Sequence, residues 1–124
     1  MYQKKLEKDI LCPLEYGLSV FGGKWKSRIL CVLAAKETLR YSELRKEIAN
    51  ITDAVLATTL KELLADGLIV RRSYDEIPPR VEYSLTEKGK SVIPILQSIC
   101  QWSGIFYKED TGAPMSQCQR CDYR

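Results

Sequence analysis

The sequence predicts an α+β fold, mostly α: a winged helix-turn-helix with a two-stranded wing and additional N- and C-terminal helices for dimerisation. Three observations predict it. The stretch from Ile51 to Gly67 reads as a helix that carries its own start and stop signals. A short helical pattern closes at Ile48, leaving three residues before Thr52, which forces the two helices into an abrupt turn. After Gly67 the apolar spacing changes from helical to alternating, as strands require.

Ile51 to Gly67 organises the rest. Thr52 can cap the first turn, where Asp53 favours the helix dipole, and Ile51 can staple onto Leu56. Gly67 suits the left-handed position after the last turn, with Leu68 placed to touch Leu63. At about 100° per residue, Leu56, Leu60, Leu63 and Leu64 share one stripe. Ala54, Thr58, Lys61 and Ala65 lie opposite, with Ala57 at the margin.

Taken in order, residues 1–11 read as a polar arm, and Met1 to Asp9 lacks the apolar core of a signal peptide. Pro13 suits a first helical turn with Cys12 at the N-cap, and Leu14, Leu18 and Phe21 follow at helical spacing. Gly22-Gly23 breaks that helix. Lys24 to Leu33 starts the next, with Trp25, Ile29, Val32 and Leu33 as its core stripe, Cys31 as a small buried hydrophobe, and Lys24, Lys26 and Arg28 outside. Arg40 to Ile48 holds the short helix, with Ser42 as N-cap, Leu44 and Ile48 inward, and Asn50 closing it. Leu68 to Tyr74 and Val81 to Leu85 form the hairpin around a charged turn containing Pro78-Pro79, and a hairpin of two strands must lean on helices to be stable. Thr86 to Gly89 caps a last helix to about Tyr107, which Pro94 is expected to kink. Its apolar residues (Val92, Ile93, Ile95, Leu96, Ile99, Cys100, Trp102, Phe106) wrap more of the circumference than one small core can cover, so a second copy of the chain is expected to take the excess. The domain thus spans residues 12–108, and residues 109–124 read as a flexible tail.

Composition narrows the function. The 124 residues make one domain, with 45% hydrophobic and 28% charged residues, ordinary for a soluble protein. No apolar run approaches the roughly 20 residues of a membrane span, so a cytoplasmic protein without a membrane partner is expected. The net charge of +3 permits a nucleic-acid partner without demanding one. The chain has no histidine, which removes the commonest acid/base group and metal ligand and weighs against an enzyme. Five cysteines, odd in number and unevenly spaced, are unlike a secreted disulfide framework and read as mostly reduced thiols.

Reading DNA needs a slim helix face for the major groove, donors for base edges and cations for phosphates. Ala54 and Ala57 can meet thymine methyls, Thr58 a base edge or phosphate, and Lys61 a guanine or phosphate. Arg40, Tyr41 and Ser42 at the short helix's start can hold a phosphate. Arg80 at the wing tip, with Arg71 or Arg72, can enter the minor groove or touch the backbone. With Thr52 these residues form the candidate interface, and double-stranded DNA is the expected partner. The same face suits a second function class, a winged-helix protein-interaction module that reads no DNA.

Cys12 is a separate candidate. A thiol at a helix N-terminus feels the positive end of the dipole, and Lys4, Lys5 or Lys8 adds charge, both favouring a reactive thiolate; an inert capping cysteine is the competing reading. Cys118-Gln119-Arg120-Cys121 is a lone CxxC pair without the second pair or histidine that a structural zinc site wants. Incidental tail thiols or an auxiliary redox pair fit it better, so no metal and no cofactor are expected. A redox enzyme built on this pair lacks an accompanying acid/base partner.

The motifs Cys12-Pro13-Leu14, Gly22-Gly23-Lys24-Trp25, Arg40-Tyr41-Ser42-Glu43-Leu44, Asp66-Gly67-Leu68, Pro78-Pro79-Arg80-Val81-Glu82-Tyr83-Ser84-Leu85-Thr86 and Trp102 occur in order between Cys12 and Tyr107. Together they resemble the HxlR family of bacterial winged-helix regulators. The resemblance implies a homodimer joined through terminal helices on a palindromic operator. It also implies that Cys12 senses electrophiles or oxidants, by alkylation or an intersubunit disulfide, although not every member is shown to use the cysteine so, and a regulator without thiol control is the alternative. The Cys118/Cys121 tail lies beyond the family's usual core, which leaves open whether Cys12 pairs with its counterpart or with a tail thiol.

Overall fold

A computed structural model describes residues 11–107. In chain order these form α1 (Pro13–Phe21), α2 (Lys24–Lys36), β1 (Thr38–Arg40), α3 (Tyr41–Glu47), α4 (Asp53–Ala65), β2 (Ile69–Tyr74), β3 (Arg80–Leu85) and α5 (Glu87–Phe106). Helix α2 is the hub: Ile29, Leu30, Val32 and Leu33 are all buried, and the helix packs on α4, α5 and β3. Helices α3 and α4 follow one another through a tight turn in which Asn50 takes a left-handed φ of 68°, a conformation asparagine tolerates better than most residues. The expected winged helix-turn-helix is the observed fold.

The wing has three strands where two were expected. Its order is β1-β3-β2, antiparallel throughout, with Leu39 opposite Tyr83 and Arg71 opposite Tyr83 on the other side. Strand β1 has three residues, too few to display an alternating pattern, and its single buried residue, Leu39, is what anchors it. This strand runs straight into α3, so Arg40 rather than Ser42 occupies the cap position, and its backbone N–H donates to the Glu43 carboxylate at 2.8 Å.

Helix α4 is bounded as its sequence requires. The Thr52 hydroxyl accepts from the Val55 N–H at 3.2 Å. At the other end Gly67 has a φ of +75°, and its N–H reaches Leu64 O at 3.1 Å while the Leu68 N–H reaches Leu63 O at 3.0 Å, the paired bonds of a Schellman stop. Leu56, Leu60 and Leu63 are buried, each contributing roughly 2 kcal/mol of transfer free energy. Leu64 is only half-buried; Thr59 takes the fourth inward place, its hydroxyl donating to Val55 O at 2.7 Å. That bond satisfies the buried hydroxyl, which a period count based on apolar residues overlooks.

Burial in α1 rests on one residue, and in α2 three expectations change, those for Lys26, Arg28 and Cys31. In α1 the buried residue is Val20, whereas Leu14 and Leu18 are exposed and Phe21 is half-buried. Lys26, expected outside, has a side chain only 12% exposed, 3.4 Å from Glu62 Oε1 and donating to Ser19 O at 3.0 Å. Burial of its long aliphatic stem places the ammonium at the junction of α1, α2 and α4. Arg28 is half-buried, its guanidinium 5.1 Å from the Trp25 ring centre, while Lys24 stays exposed. Cys31 is half-buried against the core rather than fully enclosed.

Helix α5 runs through Pro94 to Phe106 and is held to the domain by Val92 and Leu96. Its cap is doubly used: the Thr86 hydroxyl accepts from the Gly89 N–H at 3.0 Å and donates to Gly67 O at 2.6 Å. No described helix is long and apolar enough to cross a membrane.

Candidate nucleic-acid interface

Burial of its leucine stripe turns the opposite side of α4 outward. Ala54, Ala57, Thr58 and Lys61 are all exposed, as is Thr52 at the cap. The small alanines leave the face slim enough for a major groove, and Thr58 and Lys61 put donors on it. Ser42 and Arg40 are exposed at the start of α3, and Tyr41 is half-buried beside them.

Tyr41 belongs to a cluster that sequence spacing hid. Its hydroxyl donates to both the main-chain O and Oδ1 of Asp53 at 3.3 Å, and Arg45 Nε donates to the same Oδ1 at 2.6 Å. The cluster spans the turn and pins the first residue of α4 to α3. Arg45 holds the Asp53 carboxyl below the usual carboxylate range, by hydrogen bond first and charge second. Tyr41 is pushed up, chiefly by desolvation and then by the Asp53 carboxylate. Arg45 and Asp53 lie eight residues apart, a separation that no helix or strand period brings together; only the turn does.

Since the folded Asp53 carboxyl keeps its charge below the ordinary value of 3.8, its bond to Arg45 adds stability that is complete above that value. The contribution is lost as pH falls through the folded value. The melting-temperature gap between the protein and Asp53→Asn is therefore expected to stay constant from about pH 7 to about pH 5 and to close at lower pH. A gap that persists undiminished into strong acid would show that the carboxylate charge plays no part.

On the wing, Arg71 is exposed, with Nη1 donating to Ser73 Oγ at 3.2 Å. Arg80 is placed differently from the free tip cation that the sequence suggests. Its Nη2 is 3.0 Å from Glu76 Oε2, its Nη1 is 3.4 Å from Glu82 Oε2, and its guanidinium lies 4.0 Å from the Tyr74 ring centre. The pairing register explains this, because Tyr74 faces Arg80 and Glu82 follows two residues along the same side of β3. The same register lines Arg40, Glu82 and Arg72 across the three strands.

Cys12 occupies the N-cap of α1 with its free thiol exposed, and its side chain makes no capping bond. Lys4, Lys5, Lys8 and the Cys118/Cys121 pair lie outside the described residues. Near Cys12, Leu11 and Leu14 are exposed, and along α5 so are Ile95, Ile99, Trp102, Ile105 and Phe106, with Trp102 and Phe106 ring centres 5.4 Å apart.

A capped helix with a slim polar face, set beside a wing, makes the chain a winged helix-turn-helix protein, and its likeness to known proteins makes it a helix-turn-helix regulator of transcription. The family profile described as HxlR-like helix-turn-helix matches residues 20–111. The chain belongs to the HxlR family. It is 48% identical over 108 residues to an uncharacterised HTH-type transcriptional regulator of Methanothermobacter thermautotrophicus, covering 86% of this chain and 82% of that one. Among solved structures it is similar to the redox regulator HypR in its oxidised form, with a TM-score of 0.70 and 40% identity over 79% of this chain and 100% of that one. The reduced transcriptional regulator YodB of Bacillus subtilis gives a TM-score of 0.71 at 32% identity, covering 80% and 97% of the two chains.

Proposed function

We propose that this regulator binds a palindromic operator as a homodimer in the cytoplasm and that modification of Cys12 changes its affinity. The observation that carries the DNA reading is the two-sided burial of α4: Leu56, Leu60 and Leu63 are enclosed while Ala54, Ala57, Thr58 and Lys61 are bare. In this reading α4 enters the major groove. Thr52, Arg40, Tyr41 and Ser42 approach phosphates, and Arg71, exposed on β2 like Arg72, is an available cation of the wing. Arg80 reaches DNA only by exchanging Glu76 and Glu82 for phosphate oxygens.

The homodimer rests on the exposed apolar residues of α1 (Leu14, Leu18) and of α5 (Ile95, Ile99, Trp102, Ile105, Phe106). Trp102, Ile105 and Phe106 are 66–69% exposed in the single chain, a contiguous patch that a monomer rarely leaves wet. Burying it against a second copy sets two α4 helices about one DNA turn, roughly 34 Å, apart. Cys12 is exposed at the N-cap of α1, and the similar chains are a redox regulator, HypR, in its oxidised form and the transcriptional regulator YodB in its reduced form. An electrophile adding to the Cys12 sulfur forms a carbon–sulfur bond and takes up the thiol proton, placing new bulk there.

Footprinting upstream of the protein's own gene tests all three parts. A protected palindrome is expected, with affinity falling about a thousandfold between about 50 and 200 mM salt. A thiol-reactive compound is expected to alter the footprint of the native protein but not of Cys12→Ser. Salt-independent binding or no binding to any duplex would overturn the DNA reading; equal responses in both proteins would overturn thiol control alone.

A further inference from the structure

We infer that Lys88 is a positioning residue that ties the place of α1 to the place of α4, so that displacement at Cys12 is felt by the DNA-reading helix. The inference rests on the function proposed above and names the connection on which that function depends.

Helix α1 is built as a lever. Its C-terminal end is fixed: Val20 is buried, and Lys26 reaches Ser19 O at 3.0 Å while pairing with Glu62 of α4. Its N-terminal half is otherwise loose, with Leu14, Tyr16 and Leu18 all exposed. Among the described residues, that half is held to the domain by one polar tie. Lys88 Nζ donates to the Tyr16 hydroxyl at 3.0 Å, with the ammonium 5.6 Å from the Tyr16 ring centre.

The other bond of the same ammonium gives the tie its reach. Lys88 Nζ donates to Asp66 O at 2.8 Å, and Asp66 is the C-cap of α4. A cation at a helix's carbonyl end is favourable on its own account, so Lys88 has a firm seat on α4 and a second grip on α1. Tyr16 lies one helical turn beyond Cys12, and its backbone N–H donates to Cys12 O at 3.3 Å. A group attached to the Cys12 sulfur, or a bond that draws it toward a partner, therefore swings the end of α1 that bears Tyr16. Lys88 passes that load to the last turn of α4, opposite in sequence to the Arg45–Asp53 attachment of its first turn.

The test uses the full chain, N-ethylmaleimide as the thiol probe, Cys12→Ser to subtract reaction at other cysteines, and Lys88→Met, which keeps the aliphatic stem and removes both bonds. Hydrogen exchange of α4 amides is the first readout. Alkylation is expected to speed it severalfold in the native protein and to leave it unchanged in Lys88→Met, with Lys88→Arg restoring the response. Affinity for the footprinted duplex is the second: the unmodified variant binds within about threefold of native, while the change on alkylation shrinks toward none. A merely structural lysine would lower the melting temperature and leave these responses intact. Equal α4 exchange responses in native protein and Lys88→Met, or no response in the native protein, overturn the inference. Failure to bind any duplex instead defeats the proposed function, and the exchange measurement still decides the coupling.

Discussion

Gly89→Ala lowers the melting temperature by about 15 °C, the expected result of a methyl group driven into backbone. A Cβ at this position would stand 2.1 Å from Leu68 O, 3.1 Å from Leu68 C and 3.2 Å from Leu85 Cδ2. The crowding atoms are chiefly main chain at the exit from α4, and that exit is already fastened. Thr86 N–H donates to Leu68 O at 3.0 Å, and the Thr86 hydroxyl joins Gly67 O to Gly89 N–H. Relief therefore requires parting α5 from the α4–β2 junction, at a cost of about 3 kcal/mol. Gly104 supplies the control, having nothing within 4 Å of an added Cβ; alanine there is neutral or stabilises by up to about 1 kcal/mol. Thermal unfolding of both variants checks the contrast, and a Gly89→Ala protein that melts with the native one would mean that the close approach does not exist in solution.

The second large effect concerns binding. Ala57→Glu is expected to weaken operator binding at least about a hundredfold, roughly 2.7 kcal/mol, with a melting temperature within about 2 °C of native. Ala57 is exposed on the outward side of α4. Glutamate is a good helix former, so the fold loses little. Facing DNA, its carboxylate would be desolvated near phosphates with no cation to answer it. Electrophoretic mobility shift beside thermal unfolding separates the two quantities. Undiminished binding would move the DNA contact away from α4.

Sequence reading located elements well and the polar ties between them poorly. Helix α4 was legible because Thr52, Gly67 and the leucine stripe act within a turn or two of one another, the distance over which periodicity carries information. Strand β1 was not, because its pairing partners in β3 lie more than 40 residues away and its own length shows no period. Lys26 and Lys88 were illegible for the same reason: a lysine in a helical pattern reads as solvated until a distant carbonyl or carboxylate is seen beside it. Arg80 shows the limit at the interface itself. Its chemistry suits DNA, yet Glu76, Glu82 and Tyr74 converge on it only once the hairpin closes. Leu14 and Leu18 were correctly marked as apolar positions of α1, but helical spacing does not tell that both are exposed in the single chain.

One further consequence follows from β1. Arg40 is at once its last residue and the cap of α3, with no linker between them, and β1 is hydrogen-bonded to the wing through β3. The wing, α3 and, through the Arg45–Asp53 bond, the entrance to α4 are thus joined without a free linker. On the proposed DNA reading, a duplex that does not match this arrangement would be met partly by its own deformation, at an elastic cost of order 1–6 kcal/mol for a substantial bend. On the DNA reading proposed above, operators would then be chosen partly by how cheaply they bend, at base pairs that no side chain touches.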